Sequence, residues 1–162
     1  MMMTRRGIAM IETVLATAIV GGLTVAALSL VSSAAMERRV SSERTRGMLL
    51  ASQLAEEIAA RPVQVGTPIT ADPILNRLLF DEVADYDGLR QSPPRERDGT
   101  ALVDTDGWTR TVDVTEVAAS DLEGPEVADT GVYRVTVRAE FAGRIAGEVV
   151  MYRSSAADGV LR

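Results

Sequence analysis

A chain of 162 residues, 46% hydrophobic, 25% charged and only 4% aromatic, is long enough for one domain with a modest core. Seventeen basic against twenty-three acidic residues give a net charge of −6, which argues against a general grip on a nucleic-acid backbone, and no nucleic-acid partner is expected. The lack of cysteine and histidine excludes disulfide frameworks, zinc fingers, thiol nucleophiles and imidazole catalysis, so neither enzymatic activity nor a cofactor is expected.

The averages hide a segregated chain. From Ile8 to Ala35, 28 residues carry one charge, Glu12. As a helix this run spans about 42 Å, more than the roughly 30 Å hydrocarbon thickness of a bilayer. Its eleven Leu, Ile and Val residues up to Val31 favour insertion by about 0.3–0.6 kcal/mol each. Together they outweigh the roughly 3 kcal/mol cost of one carboxylate even at the bilayer centre. Arg5 and Arg6 precede the run, and the positive-inside bias then keeps the amino terminus in the cytoplasm and sends the rest outward. The adjacent Gly21 and Gly22 weaken the helix by about 1 kcal/mol each relative to alanine, marking either a flexible point or a place where small residues ease helix packing.

From Met36 to Ala60, Arg38, Arg39, Glu43, Arg44, Arg46, Glu56 and Glu57 interleave with Met36, Val40, Leu50, Leu54 and Ile58, the spacing of an amphipathic helix. No proline interrupts the chain before Pro62, so residues 8–35 and 36–61 read as one continuous helix. Beyond it, residues 63–162 hold ten arginines and eighteen acidic residues and form the expected head. Residues 62–107 read as loop-rich with a short helix at Ile74–Phe80, punctuated by Asp85-Tyr86-Asp87-Gly88 and Ser92-Pro93-Pro94. Alternating apolar residues predict strands at Trp108–Val117, Val132–Phe141 and Ile145–Tyr152, the last two joined through Ala142-Gly143. These strands, within residues 108–153, are expected to lie over the outer half of the helix. Residues 154–162 read as a loose tail. The fold class is α+β: a long N-terminal helix, its first half in the membrane, packed against a small antiparallel sheet.

At the mouth of the apolar helix stands Arg5-Arg6-Gly7-Ile8-Ala9-Met10-Ile11-Glu12: two cations, a glycine, four apolar residues and a carboxylate. This arrangement resembles the prepilin signature of type IV pilins and type II secretion pseudopilins. The resemblance implies residues 1–7 as a leader, cleavage after Gly7 by a membrane prepilin peptidase, and N-methylation of the new terminus at Ile8. It also implies a filament in which Glu12 meets the amine of a neighbouring subunit and registers one helix against the next. Glycine suits a cleavage site because it leaves the peptide bond unshielded. Glu12, four residues beyond the new amine, shares its helical face.

Ile8 stands where the family usually has an aromatic residue and Ala9 where it has a hydroxyl; a helix-kinking proline and a C-terminal cysteine pair are absent. These departures favour a minor pilin or pseudopilin, and Met48–Ile58 and Phe80–Leu89 resemble segments of minor pseudopilins and minor pilins respectively. The implied partners are a prepilin peptidase, sister pilins, an inner-membrane assembly platform with its ATPase, and membrane lipid. The alternatives are cleavage after Ser33-Ala34-Ala35 by conventional signal peptidase, an uncleaved signal anchor carrying an extracytoplasmic binding module, and, more remotely, a hydrolase. Asp81, Glu82, Asp85 and Asp87 form a candidate oxygen-ligand set for calcium, against the plainer reading of a solvated acidic turn. Trp108 is expected in the core.

Overall fold

The computed structural model describes residues 4–63 and 77–158, with side chains at 11–63 and 77–156. The chain divides into two compact units, residues 1–42 and 43–162. Helix α1 (Thr4–Ala59) runs through both without a break. It starts four residues before the expected Ile8 and stops two before Arg61, and Gly21 and Gly22 do not interrupt it.

In the first unit every Leu, Ile and Val from Ile11 to Val31 is exposed. The hydroxyls on this stretch turn back on the helix. Thr17 and Thr24 donate to the carbonyls of Thr13 and Val20, each at 2.8 Å. Ser29, Ser32 and Ser33 donate to Val25, Leu28 and Ser29, at 2.9, 2.9 and 3.0 Å. A hydroxyl satisfied by its own backbone needs no water, and these five therefore add little polarity to the apolar surface of the segment. By length and composition α1 is able to cross a membrane.

In the second unit α1 turns amphipathic. Gly47, Leu50, Ala51, Leu54, Ala55 and Ile58 are buried, and their spacing of three and four residues makes one continuous stripe. That stripe packs on a five-stranded antiparallel sheet. Its strands are β1 (Arg90–Gln91), β2 (Trp108–Ala118), β3 (Asp121–Glu126), β4 (Val132–Phe141) and β5 (Arg144–Ser154), in the order β1-β2-β4-β5 with β3 paired to β2. Trp108, Val112, Val135, Val137 and Ala139 fill the inner face, and Trp108 tilts against Phe141 with ring centres 5.0 Å apart.

The three expected strands are present nearly to the residue, and two were not anticipated. β1 falls inside the segment expected to be loop, and β3 contains Gly124 and Pro125 and lacks apolar alternation. β3 meets β2 only at Val117↔Glu126 and Ala118↔Asp121, across an irregularity in register. A proline is tolerated there because the strand lies at an edge. The β4–β5 turn has positive φ at both Ala142 (49°) and Gly143 (76°), as a tight two-residue hairpin requires. Of the expected helix at Ile74–Phe80, residues 74–76 lie outside the described residues, and Arg77–Leu79 form a 3-10 turn. The expected loose tail opens with a single helical turn, α2 (Ser155–Asp158).

Two contacts seat the helix on the sheet. Gly47 meets β5 backbone to backbone: a Cβ on Gly147 would lie 2.3 Å from Gly47 C and Met48 N. The register of β4 against β5 shifts between Ala139 and Glu140, leaving Ala146 as the extra residue beside this contact. At the far end of β5, the Arg153 guanidinium donates to the carbonyls of Ala59 and Arg61, the second at 2.9 Å. These acceptors belong to a helix C-terminus, where carbonyls lack partners within the helix and a cation is favoured.

Candidate functional site

The sequence points to two places, the amino-terminal segment and the acidic loop, and the head adds a third. In the first, Arg5, Arg6, Gly7 and Ile8 have helical backbone, and their side chains lie outside the described residues. Glu12 is exposed on α1, one turn beyond Ile8. A Cβ added at Gly21 or Gly22 would meet nothing within 4 Å, so nothing among the described residues demands glycine at either position. Ser33, Ala34 and Ala35 are helical and exposed.

The acidic loop is organised by its hydrogen bonds. Asp85 Oδ2 accepts the backbone N–H groups of Asp81 and Glu82, at 2.9 and 3.1 Å, and Glu82 and Asp85 form a reciprocal capping box on the 3-10 turn Val83–Tyr86. Asp87 Oδ1 accepts the N–H of Val114 at 2.9 Å, fastening the loop to β2. Asp85 and Asp87 therefore hold backbone. Among the described residues no group of three or more Asp, Glu, His or Cys side chains is placed to hold a metal ion.

The third place is a buried ionic cluster that sequence reading overlooked. Glu57, on the inner flank of α1, takes a bidentate contact from Arg77, with Nε to Oε1 at 3.0 Å and Nη2 to Oε2 at 2.9 Å. The Tyr86 hydroxyl donates to the same Oε1 at 3.0 Å. Arg77 is 2% exposed and Glu57 19%. Arg77 also donates to the carbonyl of Arg95 at 3.1 Å, and Arg110 from β2 donates to that carbonyl as well. Arg110 reaches Gln91 Oε1 at 3.0 Å. Two guanidinium groups thus converge on one loop carbonyl, balanced by the Glu57 carboxylate bound to Arg77 and, at Arg110, by the charges of Glu57 and Glu96, and the loop between β1 and β2 is pinned to the helix. The signal for Arg110 was present in the alternation: it shares a face with Trp108, Val112 and Val114, so the pattern that buries the valines buries the arginine.

The electrostatics follow from this crowding. Burial pushes the Glu57 carboxyl up, but the hydrogen bonds and charge of Arg77, the Tyr86 hydroxyl and the charge of Arg110 outweigh it and leave the group below its ordinary 4.5. Burial, then the Glu57 charge, raises Tyr86 from 10.0 to about 12. Burial, then the Arg77 charge, lowers Arg110 from the ordinary arginine range to about 10, so it stays charged at neutral pH. The lowered Glu57 stabilises the fold above pH 4.5, a contribution lost as pH falls through its folded value. The raised Tyr86 stabilises it below pH 10.0, a contribution lost as pH rises towards about 12. The lowered Arg110 works the other way, its cost being relieved as pH rises beyond about 10.

All seventeen basic residues are arginine, so with no histidine, cysteine or lysine only the terminal amine ordinarily titrates between about pH 6 and 9. Thermal denaturation of the full chain in detergent is therefore expected to give a flat Tm across that window and a falling one below pH 4.5. A bell-shaped profile centred near neutrality would contradict the assignment.

No family model matches the chain, and neither the curated proteins nor the solved structures contain a match.

Proposed function

We propose that the chain is a minor pilin-like subunit that works by assembly and not by turnover. A prepilin peptidase would cut after Gly7 and methylate Ile8, and the apolar half of α1 would then join a type II secretion pseudopilus or a type IV pilus-like filament. The observation that carries this reading is Arg5-Arg6-Gly7-Ile8 followed four residues later by Glu12, the one charge on the apolar run. An ordinary signal has no use for a carboxylate at that depth. A filament does, because an amine created at Ile8 lies one turn away on the same face.

Before assembly, Arg5 and Arg6 would hold the amino terminus in the cytoplasm and the head outside, in the single-pass arrangement that α1 permits by length. Exchange of lipid for sister helices leaves the Leu, Ile and Val surface covered throughout. A lone carboxylate in that bundle is costly, and pairing with the amine of a neighbour removes the cost and fixes the register. An assembly ATPase acting through an inner-membrane platform would supply the work of extraction. Against conventional signal cleavage, Ser33-Ala34-Ala35 lies within continuous helix, and the apolar run exceeds the usual 7–15-residue signal core.

Intact mass of the chain extracted from its native membrane tests this directly. The expected product begins at Ile8 and carries one added methyl group. Loss through Ala35, or a terminus still bearing Met1, overturns the reading; the second result leaves a signal-anchored binding module. Glu12→Ala is expected to leave membrane insertion and head folding intact and to prevent incorporation into filaments, read by sedimentation of sheared filaments. Normal incorporation of this variant would remove the register mechanism.

A further inference from the structure

Among the described residues of the second unit, the three most exposed large apolar side chains are Val103 (82%), Leu49 (68%) and Ile145 (60%). They gather at one end of the head. Arg46 Nη2 donates to the Val103 carbonyl at 3.2 Å, which brings the loop after Leu102 to the first turn of the unit's helix. Gly47 touches Ala146 and Gly147, which places Ile145 beside the same turn, and Arg144 Nη2 stands 3.6 Å from Glu43. This is the end at which α1 leaves the head for its apolar half, Glu43 following Ser42 directly.

Charge is distributed accordingly. Around this rim stand three arginines (44, 46 and 144) against three acidic residues (43, 104 and 106). The rest of the chain from residue 48 onward holds ten arginines against eighteen acidic residues. A negatively charged surface therefore meets least resistance at the rim and most at the rest of the head.

We propose that this rim docks on the anionic, phosphate-bearing headgroups of the bilayer that α1 crosses. Val103 and Ile145 enter the interfacial layer, and Arg44, Arg46 and Arg144 meet the phosphates. The chemistry matches the place. Exposed aliphatic tips gain by leaving water for the headgroup boundary, and guanidinium groups form paired hydrogen bonds to phosphate oxygens while their stems lie along apolar surface. The inference rests on α1 spanning a bilayer and is independent of prepilin processing.

The chain has no cysteine, so single labels are clean. Val103→Cys, Ile145→Cys, Thr111→Cys on β2 and Leu23→Cys within the apolar run are each labelled with an environment-sensitive fluorophore. The full chain is reconstituted into vesicles of phosphatidylcholine alone, or mixed equally with phosphatidylglycerol, each carrying a lipid-borne quencher. The expected result is strong quenching of the labels at 103 and 145 in the anionic vesicles, with little at 111. Arg44→Gln, Arg46→Gln and Arg144→Gln are each expected to weaken docking by about fivefold, and raised salt acts in the same direction.

Labels at 103 and 145 quenched no more than that at 111, or equally in both vesicles, overturn the proposal while a quenched label at 23 shows the helix in place. An unquenched label at 23 overturns the single-pass premise and the docking with it.

Discussion

Replacing Gly147 with valine is expected to abolish the folded head. A Cβ at this position would stand 2.3 Å from backbone atoms of Gly47 and Met48, a distance that no rotamer change relieves because both neighbours are main chain. The helix would have to lift from β5, and the residues beneath it, Leu50, Ala51, Leu54 and Ile58, would lose their cover of Val135, Val137 and Val149. Overpacking in a core ordinarily costs about 1–3 kcal/mol, and separation of the two layers adds exposure of several side chains at about 1.5–3 kcal/mol each. That sum rivals the whole stability of a small domain. Circular dichroism and limited proteolysis of the full chain in detergent should show loss of strand signal and cleavage within residues 63–158. A cooperative melt within a few degrees of the parent would rule out the backbone contact. Gly88→Asn is the control: φ is positive (69°) but the space is open, and asparagine tolerates that conformation.

Glu57→Gln is expected to destabilise the head by about 3 kcal/mol, the lower part of the range for breaking a buried ion pair, since the carboxylate is not fully buried. The variant keeps shape and some hydrogen bonding, but leaves Arg77 and Arg110 converging on the Arg95 carbonyl with no anion among their direct partners. Chemical denaturation measures the loss. If uncompensated charge is the cause, the double variant Glu57→Gln with Arg77→Met should be more stable than Glu57→Gln alone, because removing the second charge removes the stress. A double variant no more stable than the single one would show that the pair's geometry, not its charge balance, holds the loop. Tyr86 should respond as well, its hydroxyl titrating closer to the ordinary 10.0 once the Glu57 charge is gone.

The helix was the most legible part of the chain, because an unbroken apolar run followed by a three-and-four repeat has few other solutions. Strands β2, β4 and β5 were legible for the same reason at period two. β1 and β3 were not. Arg90-Gln91 is too short to show a period, and Asp121–Glu126 is held by backbone pairing and by Arg134, which donates to the carbonyls of Leu122 and Gly124, not by an apolar face. In the acidic loop, composition says which groups are negative and not what they already hold: Asp85 accepts two backbone N–H groups and Asp87 one. The Glu57–Arg77 pair and the Gly47–Gly147 contact join residues 20 and 100 positions apart. Neither leaves a local trace. Arg110 did leave one, in its phase with Trp108 and Val112. The amino-terminal segment is the reverse case, where sequence speaks through a recognisable pattern and the side chains of residues 4–10 lie outside the described structure.

The strand that clasps the helix at Glu43 and again at Ala59 and Arg61 is the last one made. A ribosome will have released the helix long before Arg144–Arg153 exists, and the slow step of closing this long loop waits for β5. Until then the buried stripe from Gly47 to Ile58 has no lid and is open to chaperones, proteases and unwanted neighbours. A chain truncated before β5 would never leave that condition. The closing strand thereby gates the head, admitting to the folded population only chains that carry β5.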